Sequence, residues 1–118
     1  MTYISILCPS RGRVNHLKDS FDSLLEHAAT PGGIEFLVRL DWQDAAVPEY
    51  LAMLLSYKCR VVIGDQRQRY ISLHHFYNEL GAIASSRWMF LWNDDCVLES
   101  ANWDRALSAF DRDWETYR

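Results

Sequence analysis

The residues able to do chemistry in this 118-residue chain gather where its apolar runs end. Ile4 to Cys8 leads into Pro9-Ser10-Arg11-Gly12-Arg13, and Ile34 to Leu40 closes on Asp41, with Asp44 three residues on. Arg60 to Ile63 is followed by Gly64, Asp65, Arg67 and Arg69, and Trp88 to Trp92 by Asn93-Asp94-Asp95. Carboxylates at a rigid strand exit suit Mg²⁺ or Mn²⁺, which prefer oxygen ligands; Mg²⁺ takes one or two carboxylates beside substrate phosphates. Asn and Asp also favour turns, and taken alone the Asn93 triplet reads first as a polar turn. Arg11 and Arg13, like Arg67 and Arg69, have two readings: guanidinium forks that match phosphate oxygens, or solvated charge at a helix start. Asp41 either accepts a hydrogen bond from a base or ribose, or begins a turn.

The elements that must position these residues follow from periodicity. Leu17, Phe21, Leu24, Leu25 and Ala28 recur at helical spacing, which predicts an amphipathic helix from about Asn15 to Ala29, ended by Pro31-Gly32-Gly33. A second helix begins near Pro48, a residue tolerated in a first turn, and carries Leu51, Leu54 and Leu55. Leu73, Phe76, Tyr77, Leu80, Ile83 and Ala84 predict a third from about Ser72 to Ser85, and Trp103, Leu107, Phe110 and Trp114 a last one. The strands between them are continuous apolar runs, as expected where helices cover both faces of a sheet. Strict β-α alternation implies an α/β fold, a Rossmann-like layer with a mainly parallel four-stranded sheet flanked by helices, in one domain over residues 1–118. In such a sheet the strand carboxyl ends share one edge, and ligands bind there near the reversal of strand order. Four distant polar segments therefore converge on one cleft.

Composition narrows the function classes. The net charge is −4, against the basic excess that a broad nucleic-acid surface needs. No apolar run approaches the ~18 residues of a membrane span, and Tyr3 to Cys8 is too short for a signal peptide, so the expectation is no transmembrane segment and a cytoplasmic location. Cys8, Cys59 and Cys96 have no CxxC spacing and lie in or beside apolar runs, which reads as buried reduced thiols and no zinc site. His74 and His75 are adjacent on a helix, where side chains diverge. Trp42 is the tryptophan placed to stack on a base. No GxGxxG, GxxxxGK[ST] or GxSxG pattern is present.

In this order and spacing the segments resemble the family 2 inverting glycosyltransferases and their GT-A relatives. Ile4 to Arg13 looks like that family's opening strand and Pro-Ser/Thr turn, and Leu17, Ser20, Ser23, Leu24 and Leu25 resemble its first helix. Ile34 to Asp41 is similar to the strand whose terminal Asp recognises the nucleobase. Tyr77-Asn78-Glu79-Leu80-Gly81 stands at the place of the family's Arg-Asn-x-Gly helix, with Asn78 retained, and Asn93-Asp94-Asp95 at its DxD position. The resemblance implies a GT-A nucleotide-binding layer for a UDP- or GDP-sugar. Pro9, Ser10, Arg11, Arg13, Arg69, Asn78 and Asp94 would belong to the nucleotide site, Asp41 would contact the base, and Asp95 would hold Mn²⁺ or Mg²⁺ on the diphosphate.

Three departures bear on activity. The chain ends 23 residues after Asp95, whereas the family's acceptor half and catalytic base lie further on. No histidine follows Asp95, and Asn93 stands where the family has its first acid. The expectation is a layer without its acceptor half, served by a homo-oligomer or a partner, with the catalytic base unassigned. The competing reading is a non-catalytic nucleotide-sugar-binding module, or a scaffold on a truncated GT-A fold.

Overall fold

The computed structural model describes residues 3–65 and 73–107. Ile4–Ser10 is strand β1, Val14–His27 helix α1, Ile34–Asp41 β2, Val47–Leu54 α2, Cys59–Gly64 β3, Leu73–Ile83 α3 and Trp88–Leu91 β4, with a 3₁₀ turn at Pro31–Gly33. Residues 103–107 are helical, and Phe110 and Trp114 lie outside the described residues. The four strands pair in parallel in the order β3-β2-β1-β4. The fold is therefore the α/β parallel sheet that the alternation of elements predicts.

Strand register assigns every residue to a face. Ile4, Ile6, Cys8, Ile34, Phe36, Val38 and Leu40 share one face with Trp88 and Phe90. Helices α1 and α2 cover it through Leu17, Phe21, Leu24, Tyr50 and Leu54. Phe21 stacks on Phe36 with ring centroids 4.0 Å apart, and Tyr57 meets both rings edge-on. The opposite face is covered by α3, whose Leu80 packs on Leu7 and Leu37. The chain steps from β1 to β2 to β3 over one face and returns to β4 over the other. A constant crossover hand requires that change of face when the direction of travel reverses.

Two expectations about burial need correction. Leu51 and Leu55 of the second helix are exposed, and the buried positions are Tyr50 and Leu54. A narrow stripe of the helix around Tyr50 and Leu54 meets the core, and its other leucines face outward. Continuous burial holds for β1 and β2 but not for the edge strands. Met89 and Leu91, on the α3 side of β4, are 53% and 64% exposed, because α3 lies over β1 and β2.

The segment after β4 closes over the end of α1. Asn102 N–H donates to the His27 carbonyl, and the Asp104 carboxylate accepts from the backbone N–H groups of Ala29 and Thr30. Trp103 Nε1 donates to the Leu24 carbonyl. These bonds satisfy backbone groups freed where α1 ends and fix the path of the loop that carries Asn93-Asp94-Asp95.

Candidate functional site

Strand order reverses between β1 and β4, which is where an open parallel sheet presents a crevice beyond its carboxyl edge. The structure has a cleft of about 490 Å³ at this edge, within the usual size for a small-molecule site. Pro9, Ser10, Arg11 and Arg13 come to it from the end of β1, Arg39 and Asp41 from β2, and Asn93, Asp94 and Asp95 from the exit of β4. Leu73, Phe76 and Tyr77 of α3 close one side.

A chain of hydroxyls stitches β1 to β4. Arg13 N–H donates to Tyr50 Oη at 2.8 Å, Tyr50 Oη lies 2.7 Å from Ser10 Oγ, and Ser10 Oγ donates to Asp94 Oδ2 at 2.7 Å. Since the serine proton goes to the carboxylate, the tyrosine proton must go to the serine. Burial, foremost, raises the Tyr50 phenol above its ordinary pKa and keeps that proton in place. Gly12 N–H donates to Asp44 Oδ2 at 2.7 Å, and Gly12 sits in the left-handed region at φ 63°. A Cβ there would meet no atom within 4 Å, so a side chain would add only backbone strain. Gly12→Ala is therefore expected to cost about 1–2 kcal/mol in urea unfolding; an unchanged midpoint would show that the turn relaxes freely.

Arg39 is the charged residue that the sequence reading passed over. It lies in the buried strand β2, is 2% exposed, and shares its face with Asp41 two residues on. Its Nη1 pairs with Asp41 Oδ1, its Nη2 donates to the Asp65 carbonyl at 2.6 Å, and its guanidinium lies 4.0 Å from the centre of the Phe76 ring. Glu79 Oε2 is 3.9 Å from Nε, too far for a hydrogen bond; Nε and Glu79 Oε1 are buried without hydrogen-bond partners among the described residues. Gly64 leaves room for the group, since a Cβ there would stand 2.7 Å from Arg39 Nη2. The signal was present in Ile34–Asp41: a lone arginine in an apolar run, spaced by two from an aspartate, must share its face.

The cleft gathers Pro9, Ser10, Arg11, Arg13, Asp41, Asp94 and Asp95 of the expected residues. Asn78 does not line it; it is exposed on α3, turned away from the Phe76 and Tyr77 side. Arg67 and Arg69 lie outside the described residues. Trp42 is 65% exposed, with Nε1 donating to Asp65 Oδ1, and does not line the cleft either. His74 and His75, expected to diverge, bring their ring centroids within 3.9 Å, because both rings are exposed and free to rotate together.

Tyr77 Oη donates to the Trp92 carbonyl at 3.1 Å, and its phenol is pushed up to about 12 by burial first, then by charge near Cys8, Asp94 and Cys96. All three cysteines are free, but only Cys8 is buried, while Cys59 at the start of β3 and Cys96 in the loop after β4 are partly exposed. Burial raises the Cys8 thiol well above its ordinary value and takes that of Cys59 to about 12.

The acidic pair divides by environment. Asp94 is buried and engaged by Ser10, whereas Asp95 is exposed and pairs with Arg13 Nη1 at 3.6 Å. No cluster of three His, Cys, Asp or Glu able to hold a metal occurs among the described residues. The donor set suits a hard cation held by one or two carboxylates that completes its shell with phosphate and water.

No family model and no curated protein sequence matches the chain. Solved structures do. TarS of S. aureus, residues 1–349 in complex with UDP, superposes with a TM-score of 0.72 at 12% identity, over 94% of this chain and 32% of that one. A second structure of the same span gives 0.72, 12%, 94% and 33%, and a further TarS structure gives 0.61, 12%, 94% and 20%. The chain spans about one third of the first two. No helix among the described residues is long and apolar enough to cross a membrane. At this identity the likeness shows the fold alone, a Rossmann-like α/β layer with a four-stranded parallel sheet.

Proposed function

We propose that the cleft binds a nucleoside-diphosphate sugar, UDP- or GDP-linked, through a divalent cation, as the donor site of a glycosyltransferase of family 2 type. The observation that carries this reading is the meeting of Arg11, Arg13 and Arg39 with Asp41, Asp94 and Asp95 at the β1/β4 reversal point. Three guanidiniums balance three carboxylates, so the cleft suits a ligand close to neutral, as a doubly charged diphosphate with its divalent cation is. Helix α1 opens onto the same edge. Arg13 at its N-cap supplies no side-chain cap, and its first turn carries no acid, which leaves the positive end of the helix to an anion.

In this reading Asp95 holds Mn²⁺ or Mg²⁺ with Asp94 behind it, and the cation offsets the charge that develops on the leaving nucleotide. Arg11 and Arg13 take diphosphate oxygens, and Asp41 accepts from the base. The binding of UDP by TarS, which shares this fold, agrees with a uracil nucleotide as the first candidate. An inverting transfer also needs a base for the acceptor hydroxyl. Asp41 is engaged by Arg39 and Asp94 by Ser10, so the base is assigned to another segment or to a partner subunit.

The test is a thermal-shift screen against UDP-, GDP- and CMP-sugars with and without millimolar Mn²⁺. A donor at 100 times its Kd raises stability by ~2.7 kcal/mol, and the rise should require the metal. The absence of a shift with every donor would defeat the proposal.

A further inference from the structure

Arg13 is held firmly at its backbone and loosely at its tip. Its N–H is fixed by Tyr50 Oη at 2.8 Å, and the preceding Gly12 N–H by Asp44 at 2.7 Å. Its side chain is 49% exposed, and a single nitrogen, Nη1, reaches Asp94 Oδ1 at 3.4 Å and Asp95 Oδ2 at 3.6 Å. Charge-assisted N–H···O bonds close to about 2.7–2.9 Å, so both contacts are long. Asp94 does not depend on them, since Ser10 holds its other oxygen at 2.7 Å.

We infer that the Arg13 guanidinium is the resident counter-ion of the Asp94–Asp95 pair, which a divalent cation must displace to bind there. The inference rests on the donor-site reading for the presence of a metal, and extends it to a competition inside the chain. One monovalent tip at 3.4 and 3.6 Å offsets half the charge of two acids that repel each other across the strand exit. A divalent ion matches their combined charge, and both cannot occupy the space between the carboxylates. The fixed backbone keeps the displaced tip at the cleft, within reach of the anion that accompanies the metal. Arg13 thus lowers affinity for the bare cation and favours the cation that arrives with its phosphates.

The test titrates Mn²⁺ into the whole chain, following free Mn²⁺ by electron paramagnetic resonance, in wild type, Arg13→Gln and Arg13→Lys, with and without UDP. An exposed ion pair contributes about 0.2–1 kcal/mol, and two are lost, so Arg13→Gln should bind Mn²⁺ alone roughly twofold to thirtyfold more tightly. Arg13→Lys keeps the charge and should stay within about twofold of wild type. Equal or weaker Mn²⁺ binding by Arg13→Gln overturns the inference, as does an absence of Mn²⁺ binding in all three proteins. Tighter binding by Arg13→Gln with no response to UDP sustains the counter-ion role while defeating the donor-site reading.

Discussion

Arg39→Met is expected to lower the unfolding free energy by about 3–5 kcal/mol, the usual cost of removing one partner of a buried ion pair. Methionine fills much of the volume and can still touch Phe76, so the loss is chiefly electrostatic. Asp41 is buried, and without Nη1 the cation left to it among the described residues is Arg11, 3.8 Å away on a half-exposed side chain. The Asp65 carbonyl loses its 2.6 Å donor at the same time. Arg39→Lys should recover only part of this, because one ammonium cannot fork between Asp41 and Asp65 while lying flat on an aromatic ring. Denaturant unfolding of the three proteins reads the effect directly. A cost under about 1 kcal/mol for Arg39→Met would mean that water reaches Asp41 easily and that Arg39 is not needed to hold its charge.

Asp95→Ala should behave in the opposite manner, silent in the free protein and decisive with ligand. Its carboxylate is exposed and its ion pair is long, so the apo stability should move by no more than about 0.5 kcal/mol. If Asp95 holds the cation on the diphosphate, a hundredfold loss of donor affinity takes a stabilisation of ~2.7 kcal/mol down to ~0.4 kcal/mol. For a chain of this size that difference is on the order of 10 °C in Tm. The contrast between unchanged apo stability and a lost metal-dependent shift separates ligation from a structural role. A donor-induced shift of the same size in wild type and Asp95→Ala would remove Asp95 from the metal site.

Much of the architecture was legible before any coordinates. The four apolar runs became the four strands, and the periodic stripes around Leu17–Phe21–Leu24 and Phe76–Leu80 became core-facing helices. These signals are local, since a period of two or of 3.6 states which residues must share a face whatever lies opposite. The placing of polar residues was legible for the same reason, because in a parallel sheet every loop that follows a strand lies on one edge. Arg11, Asp41 and Asp95 could be brought together without knowing which strands are neighbours.

Neighbourhood is what the sequence left open. Placing β4 beside β1 sets Ser10 against Asp94, commits that carboxylate, and leaves Asp95 as the exposed one. The packing of α2 buries Tyr50, exposes Leu51 and Leu55, and makes Tyr50 the link between Arg13 and Ser10.

Arg39 marks the boundary between the two kinds of information. Its type and spacing already required it to share a face with Asp41. Whether a charge can remain there depends on the Asp65 carbonyl, the Phe76 ring and the empty space at Gly64, all distant in the chain. Local pattern determined the elements and the edge on which polar groups collect. Only strand order and packing decided which charges neutralise each other, because electrostatic pairing acts through space and its partners are set by the crossovers.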